Sequence, residues 1–422
     1  MGIHDLYKVI AERAPNTLRV YHLSEFRGSS WAIDISIFLN KYVKSAGERL
    51  WMNTFFLFLC TLKKHGIKTV CIFDGPNPPI EKKAEQERRR AAGQKSIIRL
   101  RRCKEMRDEI FQKYIPHDTL LTGVIQKECQ ILFGNPTKYG RRVVWSECTD
   151  ALDAIKFTIE RLERATLPIT AEHRDKAKQI ADMMGLPIFQ ADGEAEALCA
   201  YLAVHGYVDA VLTEDTDVLA YGTPWMIAFK DFKLSDERVY GIHLESFRNE
   251  LEYTQDEIRD LCILLGCDYN TRVSGYPPDG RKRKKPAPIG FKGALAMIDE
   301  YRRLEEVVKH VVDAEPLIFQ RCRDIFTPPS GTEVKSLIAA SCVPYNRVPN
   351  FAAVSDFIEG ERLTITVDYI RKCWQPGDVV FHDSGDEGNS DFEDNTDIEN
   401  LLHEVRNLKP RYVEDLAELS AT

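Results

Sequence analysis

The chain has 422 residues, 44% of them hydrophobic, enough to bury a large core spread over two or three structural units. Its formal net charge is −8, but strongly basic stretches offset by an acidic tail mean that the total says little about local surfaces. No run of about 18 apolar residues exists, which excludes a spanning helix. The opening Met-Gly-Ile-His-Asp-Leu lacks the regions of a signal peptide, and Leu6 stands where a myristoylation signal takes Ser or Thr, so an intracellular protein is expected.

In chain order, Trp-Ala-Ile-Asp at 31 to 34 reads as a buried strand ending in an acid, and Thr54 to His65 as a helix. Val-Cys-Ile-Phe-Asp at 70 to 74 repeats the strand pattern. A long, charged, helix-favouring stretch follows to about Tyr114, carrying Lys82, Lys83, Arg88, Arg89, Arg90 and Lys95. A less regular region reaches about Arg164, with turn signals at Gly134-Asn135-Pro136 and Tyr139-Gly140. Then come a helix from Glu194 to His205, a strand in Ala-Val-Leu-Thr-Glu-Asp at 210 to 215 and a helix from Thr254 to Leu265. Past Tyr269 the pattern turns helical, interrupted by the loop Tyr276 to Pro288. The segment from about Gln375 to Asn400 has the composition of a disordered linker, and Ile398 to Leu419 of a short terminal helix. The alternation predicts an α/β fold with a mainly parallel central sheet flanked by helices. The 11 cysteines contain no C-x-x-C pair, so neither a disulfide framework nor a zinc site is indicated; Cys262 and Cys267 read as small buried hydrophobes.

The acidic candidates are Asp34, Asp74, Glu194, Glu196, Asp215 and Asp217. Asp34 and Asp74 end apolar strands, where ligands gather in parallel sheets. Glu194 and Glu196 open a helix, and because residues two apart diverge on a regular helix, their convergence needs the loop-to-helix transition. Asp215 and Asp217 follow a strand, and as an i, i+2 pair are expected on one face. So many carboxylates in one place would repel each other unless cations balance them. Oxygen-only donors select hard ions such as Mg²⁺ or Mn²⁺, and two ions about 4 Å apart can clamp a phosphodiester while activating water.

The chain resembles the flap endonuclease family of XPG-like, structure-specific 5′ nucleases. The motifs are Met-Gly-Ile-x-x-Leu at the start, Ala-Ile-Asp-Ile-Ser at 32 to 36, Ile-Phe-Asp-Gly at 72 to 75 and Glu-Ala-Glu-Ala at 194 to 197. Thr-Glu-Asp-Thr-Asp-Val-Leu-Ala-Tyr-Gly at 213 to 222 and Leu-Cys-Ile-Leu-Leu-Gly-Cys-Asp-Tyr at 261 to 269 complete them. The resemblance implies a PIN-like 5′ nuclease fold with a helical arch insertion and a helix-hairpin-helix element. It divides the chain into a first part of the nuclease core (1–80), the arch (81–170), a second part of the core (171–268), the helix-hairpin-helix and helical C-terminal part (269–374) and an acidic tail (375–422). It implies that the six acids and Asp268, which pattern alone would not select, hold two Mg²⁺ ions, and that Gly2 lies near the site.

Lys82 and Arg89 lie seven apart, so on one helix they would share a face. Read alone, that stretch is better explained as a solvated charged helix with Glu81, Glu85 and Glu87 interspersed. By resemblance Lys82 and Arg89 are arch residues that assist cleavage, with Arg88, Arg90 and Lys95 as DNA contacts. Pro288-Ile-Gly-Phe-Lys-Gly-Ala resembles the helix-hairpin-helix, with Gly290 and Lys292 on duplex phosphates. The loop Tyr276 to Pro288 interrupts that element and puts its usual monovalent-cation (K⁺) site in question. Its block Arg281 to Lys285 reads as a DNA contact, a nuclear import signal or a solvated loop. Asn40 stands where many relatives place a base-stacking Tyr, leaving Tyr42 as a candidate. The interval from Asp74 to Glu194 is longer than is typical, and no sliding-clamp box occurs in the tail. The expected partner is branched or flapped DNA, bound by a monomer in the nucleus or wherever DNA is replicated. A 5′ to 3′ exonuclease, a junction-resolving nuclease and a catalytically silent scaffold remain as alternatives.

Overall fold

The computed structural model describes residues 2–112, 151–229, 237–276, 278, 286–327 and 347–374. The chain divides into two compact units, one formed by Met1–Asn40, Met52–Glu85 and Thr170–Lys409, the other by Lys41–Trp51, Gln86–Ile169 and Pro410–Thr422.

The first unit is built on seven strands: β1 (Leu18–His22), β2 (Ser30–Asp34), β3 (Lys68–Phe73), β4 (Ile188–Gln190), β5 (Ala210–Leu212), β6 (Trp225–Ala228) and β7 (Arg238–His243). Their order in the sheet is β1-β7-β6-β5-β2-β3-β4. The run β6-β5-β2-β3-β4 is parallel, and β7 runs antiparallel to both β6 and β1. The mainly parallel sheet is therefore as expected, and its central strands read as apolar runs because helices cover both faces. Trp31, Ala32 and Ile33 of β2 are wholly buried. The β1–β7 edge went unforeseen, since β1 mixes exposed Arg19 and Val20 with half-buried neighbours and gives no clean period.

Helices α1 (Leu6–Arg13), α2 (Ile35–Ala46, which continues into the second unit) and α3 (Trp51–Lys64, from Met52) interleave with these strands. Within or leading into the second unit are α4 (Lys83–Gln112) and α5 (Ala151–Ala165). The first unit resumes with α6 (Ala171–Met183), α7 (Ala195–Val204), α8 (Asp217–Tyr221), α9 (Leu244–Leu251) and α10 (Gln255–Leu265). One apolar core runs from Ile3, Leu6 and Val9 through Val70, Val211 and Tyr201 to Leu261, Ile298 and Phe326. Thr254 starts α10 with a capping box to Glu257, and Thr170 starts α6 with one to His173.

Beyond α10 the chain is not purely helical, contrary to the expected pattern. Ser274–Gly275 (β8) and Ala287–Pro288 (β9) form an antiparallel pair, so the Tyr276 to Pro288 loop is closed at its base as a hairpin. Residues 277 and 279–285, including the basic block, lie outside the described residues. The helices α11 (Phe291–Tyr301), α12 (Leu304–Val307), α13 (Phe319–Ile325), α14 (Phe351–Gly360) and α15 (Val367–Trp374) follow.

In the second unit, α5 corrects the expectation of irregular chain as far as Arg164: buried Ile159 and Leu162 lie a turn apart on one face. Lys104 Nζ on α4 meets Glu163 Oε1 on α5 at 2.5 Å. The turn signals at 134 to 140, the tail from 375 and its expected helix at 398 to 419 lie outside the described residues. No helix among the described residues is long and apolar enough to cross a membrane.

Candidate active site

The acidic residues meet in the first unit at the carboxyl ends of β2, β3 and β5. Asp34 is the last residue of β2 and is buried; its Oδ1 accepts the Ser36 N–H at 3.2 Å. Asp74 follows β3, and its Oδ1 accepts the Ala195 N–H at the start of α7, at 2.9 Å. That contact draws the α7 N-terminus to the strand end. Gly75 makes it possible, because any Cβ there would collide with the carbonyls of Ala191 and Asp192, while Gly75 N–H donates to the Gly193 carbonyl at 2.6 Å.

Glu194 occupies the cap position of α7 with extended backbone, and Glu196 lies in its first turn. This change of backbone at the helix start lets two residues that would diverge on a helix approach the same atom. The Tyr269 hydroxyl lies 3.1 Å from Glu194 Oε2 and 3.2 Å from Glu196 Oε1 and donates its proton to this pair. Burial and then Glu196 raise the pKa of Tyr269, which keeps the phenol a donor. Tyr269 was not singled out from the sequence; its only signal was its place beside Asp268.

Asp215 and Asp217 do not share a strand face. Strand β5 ends at Leu212, Asp215 lies in the following turn, and Asp217 opens the short α8. The turn is tied by Asp215 N–H to Thr213 Oγ1 and by Asp217 N–H to Asp215 Oδ1, both 3.1 Å. Asp268 follows the Gly266 cap of α10 and is buried.

Gly2 packs against this turn with φ of +87°, and a Cβ on it would overlap Asp215 Oδ1 and lie 2.8 Å from Asp217 Oδ1. The neighbouring Ile3 N–H donates to Thr216 Oγ1 at 2.9 Å. Only a glycine fits so close to two carboxylates in this conformation.

Lys82 is not on the arch helix. It ends a 3-10 turn, Ile80–Lys82, immediately before α4 and is buried, whereas Arg89 lies on α4 in the other unit and is exposed. The expected common helix face therefore does not exist. The proline-rich approach Pro78-Pro79 delays the helix, so Lys82 turns inward. Its Nζ hydrogen-bonds Glu194 Oε2 and lies 3.4 Å from Asp268 Oδ2 and 3.6 Å from Glu196 Oε1. Burial disfavours the ammonium, but Glu196, Glu194, Asp268 and Asp215 more than offset this and raise its pKa.

Five of the seven acids are buried, and for Asp34, Glu196, Asp215 and Asp217 the surroundings disfavour the charged form. Burial, then Asp74, Glu196 and Asp215, push Asp34 well up; burial, then Asp215, Asp268 and Glu196, do the same to Asp217. Asp215 is raised by burial and Glu196. Burial pushes Glu196 up to about 8 despite the opposing Lys82 ammonium. Both Asp217 oxygens are buried without a hydrogen-bond partner. Such oxygens need a cation, and an all-oxygen donor set suits a hard divalent ion. Among the described residues no three acidic, histidine or cysteine side chains surround a metal position as they stand, and the Lys82 ammonium supplies counter-charge among them.

Arg88, Arg90 and Lys95 are exposed on α4. Gly290 caps α11, and Lys292 is exposed, 3.2 Å from Glu12 Oε2. Tyr42 is 6% exposed, so its ring is not presented for base stacking. Cys262 and Cys267 are buried free thiols, as their apolar neighbours implied.

A parallel α/β sheet with an acidic centre at its carboxyl edge, interrupted after β3 by a basic helical unit, defines the 5′ nuclease core fold. The XPG N-terminal domain matches residues 1–96 and the XPG I-region residues 185–268. Both matches are to XPG-family regions, which this chain resembles over those two stretches. Flap endonuclease 1 of Monosiga brevicollis is 29% identical over 352 residues, covering 79% of this chain and 78% of that protein. The mouse (Mus musculus) protein of the same name is 26% identical over 357 residues, covering 80% and 77%. Among solved structures, the catalytic core of Rad2 with DNA substrate aligns with a TM-score of 0.53 at 17% identity, over 89% of this chain and 99% of that one. Flap endonuclease-1 from Methanococcus jannaschii aligns with a TM-score of 0.50 at 19% identity, over 85% and 94%.

Proposed function

We propose that this protein is a structure-specific 5′ flap endonuclease, which binds branched or flapped DNA and hydrolyses a phosphodiester near the junction of single and double strand. The observation that carries this reading is the convergence of seven carboxylates at one sheet edge, two of whose oxygens, on Asp217, are buried and unpaired. Asp34, Asp74, Glu194, Glu196, Asp215, Asp217 and Asp268 would hold two Mg²⁺ ions, Mn²⁺ substituting. Bound there, the ions supply an activated water and neutralise charge developing on the phosphate.

The remaining chemistry falls to the chain. Tyr269 orients Glu194 and Glu196 through its hydroxyl. Gly2 and Thr216 hold the Asp215 to Asp217 turn. Lys82, released from the acids, offers an ammonium to a phosphate beside them, and Arg89, with Arg88, Arg90 and Lys95 spreading charge around the same helix, contacts the 5′ strand. Gly290 and Lys292 hold duplex phosphates. Each phosphate contact steepens the salt dependence of binding by about one unit of log–log slope.

The test is cleavage of end-labelled 5′ flap, nicked duplex, four-way junction and single-stranded RNA, with Mg²⁺ or with chelator. Flap cleavage near the junction, abolished by chelator, is expected. Cleavage that persists in chelator refutes the metal mechanism. A preference for nicked duplex or four-way junction replaces the flap assignment by an exonuclease or a resolving nuclease.

A further inference from the structure

The 3-10 turn that carries Lys82 into the acidic centre is also held from outside it. Its three residues go three ways: Ile80 is 78% exposed, Lys82 is buried among the acids, and Glu81 reaches α13. Arg321 Nε on α13 donates to Glu81 Oε1 at 2.7 Å. This hydrogen bond holds the Glu81 carboxyl below its usual range, against burial. Glu81 Oε2 is buried with no hydrogen-bond partner, so the carboxylate depends mainly on Arg321 for its charge.

The backbone of the turn is tied by Lys82 N–H to the Pro79 carbonyl at 3.1 Å and by Lys83 N–H to the Ile80 carbonyl. Pro78 and Pro79 before it have no N–H to add. Helix α13 is the firmer partner. Arg323 grips buried Asp260 of α10 through Nε at 2.7 Å and Nη2 at 2.6 Å, and Cys322 on α13 and Phe326 just after it are fully buried. Arg321 and Arg323, two apart, face different ways on the helix, one to Glu81 and the other to α10. The Phe326 ring meets Tyr269 edge-on with centroids 5.5 Å apart, and Tyr269 bonds Glu194 and Glu196, the glutamates that Lys82 approaches. One short helix and its cap thus back both groups that hold the acids at the start of α7.

We propose that Arg321 is a positioning residue which, through Glu81, anchors the turn of Lys82 so that the ammonium stays seated among the acids and a metal ion must displace it. The second half of this inference rests on the metal-binding reading of those acids given above. With the Arg321–Glu81 pair intact, Lys82 approaches Glu194 and Asp268 from a fixed backbone, and less conformational entropy remains to be lost in seating it. With the pair broken, the turn gains freedom, the ammonium is held less firmly and a divalent ion meets a weaker competitor. Arg321 is half-exposed, so the pair is a modest one and its loss should matter less than removal of the Lys82 charge itself.

The test uses the full-length chain without DNA. In chelator, brief acetylation of amines followed by peptide mass mapping reads how firmly Lys82 is seated, with exposed Lys83 as the internal reference. Lys82 should react about threefold faster in Arg321→Met than in the unaltered protein, and close to the unaltered rate in Arg321→Lys, whose ammonium can still meet Glu81. Calorimetric titration should show Mg²⁺ bound about threefold more tightly by Arg321→Met, and no further tightening when Arg321→Met is added to Lys82→Met. Unchanged labelling of Lys82 in Arg321→Met overturns the proposal. So does Mg²⁺ binding that Arg321→Met leaves unchanged, or tightens equally in the Lys82→Met background. Faster labelling in a chain that binds no Mg²⁺ supports the anchoring by Arg321 and refutes the metal-binding reading instead.

Discussion

Replacing Lys82 by Met keeps the length of the side chain and removes its charge. The ammonium is 9% exposed, is bonded to Glu194, and lies within 4 Å of Asp268 and Glu196. Breaking a buried ion pair on one side costs about 3–5 kcal/mol, because the surviving charge keeps its desolvation penalty. In chelator, Lys82→Met should therefore lower the thermal midpoint by roughly 5–15 °C. With Mg²⁺ the order should reverse in part, because an ammonium and a divalent ion compete for the same oxygens. Calorimetric titration should show Mg²⁺ binding tightened about tenfold, equivalent to about 1.4 kcal/mol. Cleavage of a 5′ flap at saturating substrate should nevertheless be slower, since the same ammonium is then missing beside the phosphate. An unchanged midpoint in chelator together with unchanged Mg²⁺ affinity would refute the role of Lys82 as counter-charge to the acids.

Asp217→Asn should abolish flap cleavage while leaving junction binding, measured by fluorescence anisotropy, within about threefold; wild-type turnover would remove Asp217 from the site. Gly2→Ala places a methyl group onto Asp215 and Asp217, so cleavage should fall at least about tenfold with little change in DNA affinity, and an unaltered rate would show that the turn yields freely. Burial works against the Glu237 charge, but hydrogen bonds from His65 and Lys64 hold its pKa at about 2, below the ordinary 4.5. That stabilisation, at most about 3 kcal/mol, is complete above the unfolded value and is lost as pH falls from about 4.5 through 2. Glu237→Gln should be less stable at pH 7 and lose less stability over that acid interval; parallel denaturation curves for the two proteins would contradict the assignment.

How far the sequence disclosed the site depended on the kind of contact involved. Asp34 and Asp74 were legible because each closes an apolar strand buried on both faces, a local pattern. Asp217 was found but misplaced: its spacing from Asp215 suggested a strand, and the hydrogen bonds of the Thr213 to Asp217 turn override that spacing. Lys82 was assigned to a helix face because the basic run is continuous, although the preceding prolines postpone the helix by one turn. Asp268 and Tyr269 depend on how α10 stops, and their partners Glu194 and Glu196 are remote in the chain, so no local period marks them. The β1–β7 edge was hidden by half-exposed strands.

The adjacency of β3 and β4 has a consequence for how such a molecule can change. These strands pair in parallel, Cys71 to Ile188 through Phe73 to Gln190, although the chain departs after β3 and returns before β4 by way of α6. The ends of the intervening excursion are thus anchored by the sheet itself, and lengthening it costs only the slow logarithmic growth of loop entropy. Substrate choice and chemistry can evolve on separate clocks: the excursion is free to lengthen, shorten or exchange its basic side chains while the sheet keeps the carboxylates in register.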